Sequence, residues 1–276
     1  MRLRLKHIAI IVVAIACATA ILISISQDRS GLPELSYVTK LKISIVYDNE
    51  ALNESLEASW GFACIVELEN ESILFDTGGN SQILLSNMAN MNINIPKIKT
   101  IVLSHIHADH TGGLIGFLKV HNDVKVYLPA SFPKTFKRSV ESHGCTVIEV
   151  SKPMKIREGI AVTGEMGFWI KEQSLIINTP KGAIVITGCA HPGIVNIVKR
   201  AKEIAGKVYM ILGGFHLMGY SENEVLSIIS QLKDLGVEVV APCHCTGDLA
   251  KMLFEEEFGE NYIRIGVGAI IELDFD

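Results

Sequence analysis

The sequence predicts an α/β fold: two mixed β-sheets sandwiched between helices, with an apolar helix at the N-terminus. Three observations predict it. Strand-like segments dominate the first third of the chain, and strands then alternate with helices. Five apolar strand segments have a Gly, Ser or Pro and a potential ligand within a few residues of their end, the layout of sheets that gather a site at their strand ends. At 276 residues and 49% hydrophobic content, the chain is long enough to bury one large core.

The elements follow in order. Arg2, Arg4 and Lys6 precede an uncharged run of 18 residues, Ile8 to Ile25. At about 1.5 Å per residue it nearly spans a hydrocarbon core of roughly 30 Å. Positive charge before an apolar run is the layout of a signal anchor with its N-terminus inside. A cleaved signal peptide is the rival, because Ala18-Thr19-Ala20 has the small-x-small form, but Ile21 to Ile25 continue the apolar run past that site. Residues 1–27 are therefore expected to be a signal anchor or signal peptide, 28–40 a linker around Gly31 and Pro33, and 41–276 one catalytic domain. This layout predicts a membrane-anchored or exported protein, contacting the membrane through residues 8–25, with its domain on the extracytoplasmic side.

Leu41 to Tyr47 alternates and reads as a strand, and Phe62 to Leu68 with Ile73 to Phe75 suit a hairpin. A helix is expected over Ser81 to Met91 and a short buried strand over Thr100 to Leu103. Next come strand 124–128, helix 132–143, strand 146–150, and strands 175–177 and 183–186. Gly193 to Ala205 reads as a helix with Pro192 at its first position. Strand 208–212 precedes helix 222–235, where Ser221 with Glu224 forms a capping pattern. Strand 237–240, helix 247–258 and a closing strand, Tyr262 to Leu273, complete the chain.

Net charge is −5; the N-terminal segment holds +3 and no acid, which leaves −8 on the rest. An acidic domain is a poor partner for a phosphate backbone, so no nucleic-acid partner is expected. The six cysteines lack the spacing of a disulfide scaffold, and three of them stand beside histidines.

The chemistry concentrates in Ser104-His105-Ile-His107-Ala-Asp109-His110-Thr-Gly-Gly113. Three imidazoles and a carboxylate within six positions repel as cations and bury poorly as neutral groups, whereas a metal pair satisfies both. In an extended stretch His105 and His107 face one side and clasp one metal; Asp109 and His110 serve a second if the chain turns after His107, which Thr111-Gly112-Gly113 allows. Six of the nine histidines fall in the strand-end segments. Of these, His191 and His244 are candidate ligands. If residues 243–245 are extended, His244 points away from Cys243 and Cys245, so the site takes either the histidine or the thiols; the histidine is preferred, with the cysteines as core packing. Cys189 either bridges two metals as thiolate or is an inert buried thiol. His216 is a candidate ligand, proton donor to a leaving group, phosphate contact or hydrogen-bonding support. Asp76 is expected to orient a ligand histidine.

These residues resemble the metallo-β-lactamase superfamily over roughly residues 41–276. Together with Thr187-Gly-Cys-Ala-His-Pro-Gly193, Gly213-Gly-Phe-His-Leu217 and Pro242-Cys-His-Cys-Thr-Gly247, the cluster looks like its dihydropterin–aminobenzene-phosphate synthase subgroup. The resemblance implies an αββα sandwich holding one or two divalent metals, zinc first and iron or manganese as alternatives. It implies His105, His107, Asp109, His110, His191 and His244 as ligands, Cys189 at the position of a bridging acid, and Asp109 and His216 as catalytic candidates. Most hydrolases of the superfamily carry a Gly-His motif; the matching stretch here, Val162-Thr-Gly-Glu-Met-Gly167, has Glu165 and no histidine. The expected function is a metallo-hydrolase acting on a phosphorylated or pyrophosphorylated, anionic small molecule. The alternatives are a synthase-type transferase releasing pyrophosphate and a non-catalytic, membrane-tethered metal-binding module.

Overall fold

The computed structural model describes residues 32–276. The expected anchor or signal peptide and its apolar helix lie outside the described residues. Among the described residues no helix is long and apolar enough to cross a membrane.

Two sheets form the centre. The first has seven strands in the order β13-β1-β2-β3-β4-β5-β6: β1 (Lys40–Tyr47), β2 (Ala63–Glu67), β3 (Ser72–Phe75), β4 (Ile98–Val102), β5 (Lys125–Pro129), β6 (Thr146–Val150) and β13 (Ile270–Asp274). The second has six, in the order β12-β11-β10-β9-β8-β7: β7 (Met154–Arg157), β8 (Ile160–Val162), β9 (Leu175–Ile177), β10 (Ala183–Thr187), β11 (Val208–Gly214) and β12 (Val239–Cys243). The helices are α1 (Ser81–Asn90), α2 (Ala108–Thr111), α3 (Leu114–Val120), α4 (Lys134–Glu141), α5 (Ile194–Ala205), α6 (Glu222–Asp234) and α7 (Asp248–Phe258).

Alternation along the strands sorts the apolar side chains into layers. Ile43, Ile45, Cys64, Val66, Ile73 and Phe75 of the first sheet meet Val162, Ile177, Ile184, Ile186, Met210 and Leu212 of the second in one buried cluster. The opposite faces of the same strands, with Ile65, Leu74 and Ile101, are covered by Leu84 and Met88 of α1 and Leu114 and Phe117 of α3. The result is the expected αββα sandwich.

Local chemistry explains most boundaries. Asn80 caps α1 by accepting the Gln82 and Ile83 N–H groups at 2.8 and 3.3 Å. At α6 the Glu224 carboxylate accepts the Ser221 N–H at 2.8 Å, closing the expected capping box. Two expectations need correction. Pro192 does not open α5; Gly193 caps it at φ 88, a left-handed geometry that glycine takes without penalty. The closing strand is only β13, because Gly266 and Gly268 interrupt the apolar pattern and Val267 instead hydrogen-bonds Glu50. Strands β7 and β8 and helix α3 carry no strong sequence signal; they exist because they complete sheet and layer.

Topology places the site. β3 runs parallel to β4, and β10, β11 and β12 run parallel to one another. Their C-terminal ends therefore lie at one end of each sheet, and Asp76, His105, Cys189, His216 and His244 each follow such an end by one to three residues.

Candidate metal centre

Three groups of donor atoms converge here, each with all its atoms within 4.8 Å of one another: His105, His107 and His191; Asp109, His110, Cys189 and His244; and Cys189, His191 and His216. Every candidate ligand read from the sequence falls within these groups, and Cys189 joins two of them.

The turn that separates the first two groups falls directly after His107, where a second donor group requires it, and a short helix makes it. His107 caps α2, so the chain leaves the extended conformation at Ala108. The helical turn swings Asp109 and His110 away from His107 and towards His244 and Cys189.

The spacings suit metal ligands. His105 Nε2 stands 3.1 Å from His107 Nδ1. Cys189 Sγ lies 3.2 Å from His110 Nε2, and Asp109 Oδ2 lies 3.3 Å from His244 Nε2 and 3.6 Å from His110 Nε2. Tetrahedral nitrogen ligands at roughly 2.0–2.1 Å from zinc would be about 3.3 Å apart. Two of the four buried side-chain polar atoms without a hydrogen-bond partner among the described residues are His191 Nε2 and His244 Nε2. A buried unsatisfied donor or acceptor costs on the order of 1–3 kcal/mol, so orphaned nitrogens aimed into a donor cluster fit a cation.

A surrounding layer fixes each ring. Asp76, fully buried, accepts the Ser104 N–H at Oδ1 (2.7 Å) and, at Oδ2, the Ser104 hydroxyl (2.7 Å) and His110 Nδ1–H (2.7 Å). Ser104 Oγ in turn accepts from His105 Nδ1 at 2.9 Å. One carboxylate thereby presents both His105 Nε2 and His110 Nε2 as lone-pair donors. His244 Nδ1 donates to Asn49 Oδ1 at 3.0 Å, and its backbone N–H donates to Asp48 Oδ2 at 3.1 Å. Glu172, also fully buried, accepts the N–H groups of Cys189, Ala190 and His191 at 3.0, 2.9 and 2.8 Å. It fixes the loop that carries two donors. Gly188 is required here, since a Cβ on it would stand 2.1 Å from Ser104 Oγ.

Backbone strain concentrates at the same place. Asp76, Ala190, His216 and His244 all adopt left-handed φ between 49° and 60°, leaving Asn92 as the fifth such non-glycine residue among those described. Each costs on the order of 1 kcal/mol or more, held by the surrounding bonds.

The sequence did not point to Glu172, Asp48 or Asn49. Glu165, at the position of the missing Gly-His histidine, lies away from the donors and accepts the Ser131 N–H at 2.6 Å. His191 takes the third place beside His105 and His107 instead. The donor groups contain His244 and neither Cys243 nor Cys245, in line with the preference for the histidine, but the extended geometry behind that preference needs correction. Residues 244–246 form a 3₁₀ turn rather than a strand, so His244 and Cys245 both face the centre while Cys243 packs in the inter-sheet core. Cys245 Sγ lies 3.6 Å from the Cys189 carbonyl oxygen.

The electrostatics favour donor forms. Burial, then the neighbouring His110, His191 and His107, push the His105 pKa well below its ordinary value. Burial and the nearby His216 and His107 lower His191 to about 4. Burial opposes ionisation of Asp109, but His244 and His110 outweigh it and hold its pKa down. Burial likewise opposes protonation of His110, yet Asp76 overrides it and the net direction is up. Contact with Cys245 raises the Cys189 thiol and lowers Cys245, whose proximity also raises His216. A lowered imidazole pKa means that protons compete with metal only at lower pH. Dialysis against metal-free buffer at pH 5.5 is therefore expected to leave the metal at His105, His107 and His191 in place, with loss setting in towards pH 4. Metal counts that collapse already at pH 6 would refute this.

The fold and donor set define a protein with candidate metal-binding clusters where two sheets end. The chain belongs to the metallo-β-lactamase superfamily, whose profile matches residues 61–244. It is 32% identical over 87% of its length to the 7,8-dihydropterin-6-methyl-4-(β-D-ribofuranosyl)-aminobenzene-5′-phosphate synthase of Methanocaldococcus jannaschii, of which 99% is covered. Among solved structures, a metal-dependent hydrolase of the β-lactamase superfamily superposes with a TM-score of 0.71 at 27% identity, covering 85% of this chain and 99% of that one. Human tRNase Z, short form, shares the fold with a TM-score of 0.57 at 13% identity, over 84% of this chain and 99% of that one. The expected membrane-anchored, extracytoplasmic placement is corrected on two counts. Among the described residues no helix is long and apolar enough to cross a membrane, and the relatives matched over nearly their full length are a synthase and a metal-dependent hydrolase of the β-lactamase superfamily.

Proposed function

We propose that this chain is a zinc-dependent transferase of the dihydropterin–ribofuranosylaminobenzene-phosphate synthase type, joining a pterin-methyl diphosphate to a ribofuranosylaminobenzene phosphate with release of diphosphate. The observation that carries this reading is the likeness to the archaeal synthase over 99% of that protein. Zinc or iron suits the donor set better than manganese, because Cys189 adds a thiolate to imidazoles and one carboxylate.

When bound, the metals supply positive charge that polarises phosphoryl oxygens and offsets the charge developing on a departing diphosphate. The chain's own residues do the rest. Glu172 holds the Cys189–His191 loop, Asp76 orients two imidazoles, and Asp109 keeps a negative donor between His110 and His244. His216 stands exposed at the edge of the donors, its ring 4.4 Å from that of His191. With its pKa raised by Cys245, it carries a proton to a leaving oxygen as general acid. The net −8 of the domain offers no general attraction for anions, so the pull on a diphosphate comes from the centre itself.

The second reading is hydrolysis of a phosphorylated small molecule, favoured by the 27% identity to a metal-dependent hydrolase. Zinc-loaded protein supplied with 7,8-dihydropterin-6-methyl diphosphate and the ribofuranosylaminobenzene phosphate separates the two. The expected result is coupled product with one diphosphate released per turnover. Turnover of generic phosphodiester or lactone substrates without any coupled product would sink the transferase reading.

A further inference from the structure

Between β8 and β9 the chain forms a small hairpin. Met166 and Glu172 pair antiparallel, with N–H to carbonyl distances of 2.8 and 3.0 Å in the two directions. Gly167 opens its tip at φ 89, and Lys171 Nζ donates to the Gly167 carbonyl at 2.7 Å. The tip carries Phe168 and Trp169, 79% and 90% exposed, packed edge to face with centroids 5.0 Å apart. Nothing in folding calls for two large aromatic side chains there, since water surrounds them.

The hairpin is not a free-standing loop. Its last residue, Glu172, is the carboxylate that binds the Cys189–His191 loop through three N–H groups. On its other side, a Cβ on Gly167 would lie 3.4 Å from Pro192 Cγ, the residue after His191. The aromatic tip is thus fixed with respect to the donors. The chain has two tryptophans, and the other stands at the centre: Trp60, 52% exposed, has its ring 4.9 Å from that of His244. One tryptophan thus lies against the ring of His244, and the hairpin that carries the other is rooted on the Cys189–His191 loop and beside Pro192.

We infer that the Phe168–Trp169 hairpin is a substrate clamp that stacks on a flat nitrogen heterocycle presented to the metal centre, with Trp60 as a second wall. Aromatic faces bind such rings by stacking, and a rigid root lets that binding position the reacting group. The inference deepens the transferase reading and rests on it for the identity of the ring.

Two measurements test it. In a W60F background Trp169 is the sole tryptophan, so its emission reports on the hairpin. Added 6-hydroxymethylpterin is expected to quench it, and ribose 5-phosphate, which lacks the ring, is expected not to. In the coupling assay, F168A/W169A is expected to raise KM for the pterin diphosphate about tenfold, the size of one lost ring-on-aromatic stack. Zinc content should match that of the unaltered protein. Unchanged KM in F168A/W169A overturns the clamp and leaves the transferase intact. Trp169 emission that answers to phosphatidylglycerol vesicles or to self-association, but not to the pterin, overturns it as well. Pterin quenching of Trp169 without any coupled product supports the clamp and refutes the transferase.

Discussion

Asp76→Ala is expected to strip the metals and to destabilise the fold at once. The Asp76 carboxylate is fully buried and satisfies three donors, the Ser104 N–H, the Ser104 hydroxyl and His110 Nδ1. Its removal leaves those donors unpaired, and breaking a buried pair of this kind costs about 3–5 kcal/mol. For a chain of this size, that lowers the unfolding midpoint by roughly 10 °C. The ligand effect adds to it, because His105 and His110 both depend on this carboxylate for their tautomers. Losing such support weakens metal binding by about 10–100-fold. The group with His105 and the group with His110 each lose one oriented donor, so both metals should leak on dialysis. Asp76→Asn separates the two effects. It keeps an acceptor for one donor but turns an amide N–H towards another, so it should fold better than Asp76→Ala and still lose metal. Calorimetry and metal counting on both variants check this. An Asp76→Ala protein with the parent's midpoint and metal content would show that the carboxylate does neither job.

The sandwich and half of its site were legible because they depend on local pattern. Alternation in Leu41 to Tyr47 and the short apolar runs 175–177 and 183–186 specify strands whose faces must be covered. His105-x-His107-x-Asp109-His110 is legible for the same reason: its donors are neighbours in sequence and have no packing explanation. What escaped depends on distance. Glu172 is an ordinary acid in a polar stretch; it matters because the Cys189–His191 loop, 17 to 19 residues on, turns three N–H groups towards it. Asp48 and Asn49 reach His244 from almost 200 residues away. No periodicity encodes such a pairing. The extended geometry considered for residues 243–245 does not form, for a related reason: an extended chain sends alternate side chains to opposite faces, but His244 sits at φ 49 and brings its neighbour round with it.

The same distinction between local and tertiary signals governs the last expectation, that His191→Ala removes one metal of two while leaving the folded chain intact. The stretch around Glu165 has no histidine where most hydrolases of the superfamily carry one, and His191, a candidate ligand from the sequence, is the residue whose ring packs 4.7 Å from that of His105 and 5.0 Å from that of His107. Its Nε2 bonds to nothing among the described residues, and its backbone N–H, which Glu172 holds, survives the substitution. Without metal the three imidazoles crowd one another: after burial, His191 and His107 are among the neighbours that lower the His105 pKa, and His107 is among those that lower that of His191. Alanine relieves that crowding, so the metal-free variant should unfold at or slightly above the midpoint of the metal-free parent. The stabilisation gained on adding zinc should shrink, because binding to the folded state alone raises stability in proportion to the logarithm of occupancy. Activity should fall by at least about a hundredfold, the upper end of what loss of a ligand's supporting partner alone produces. Glu165→Gln provides the contrast: its carboxylate accepts the Ser131 N–H on the surface, so both metals and full activity should remain. Metal counting with calorimetry of the metal-free and zinc-loaded forms decides the matter. If His191→Ala retained two metals per chain and Glu165→Gln lost one, the ligand assignment drawn from the geometry would be wrong, and the stretch that looks empty of donors would be supplying one.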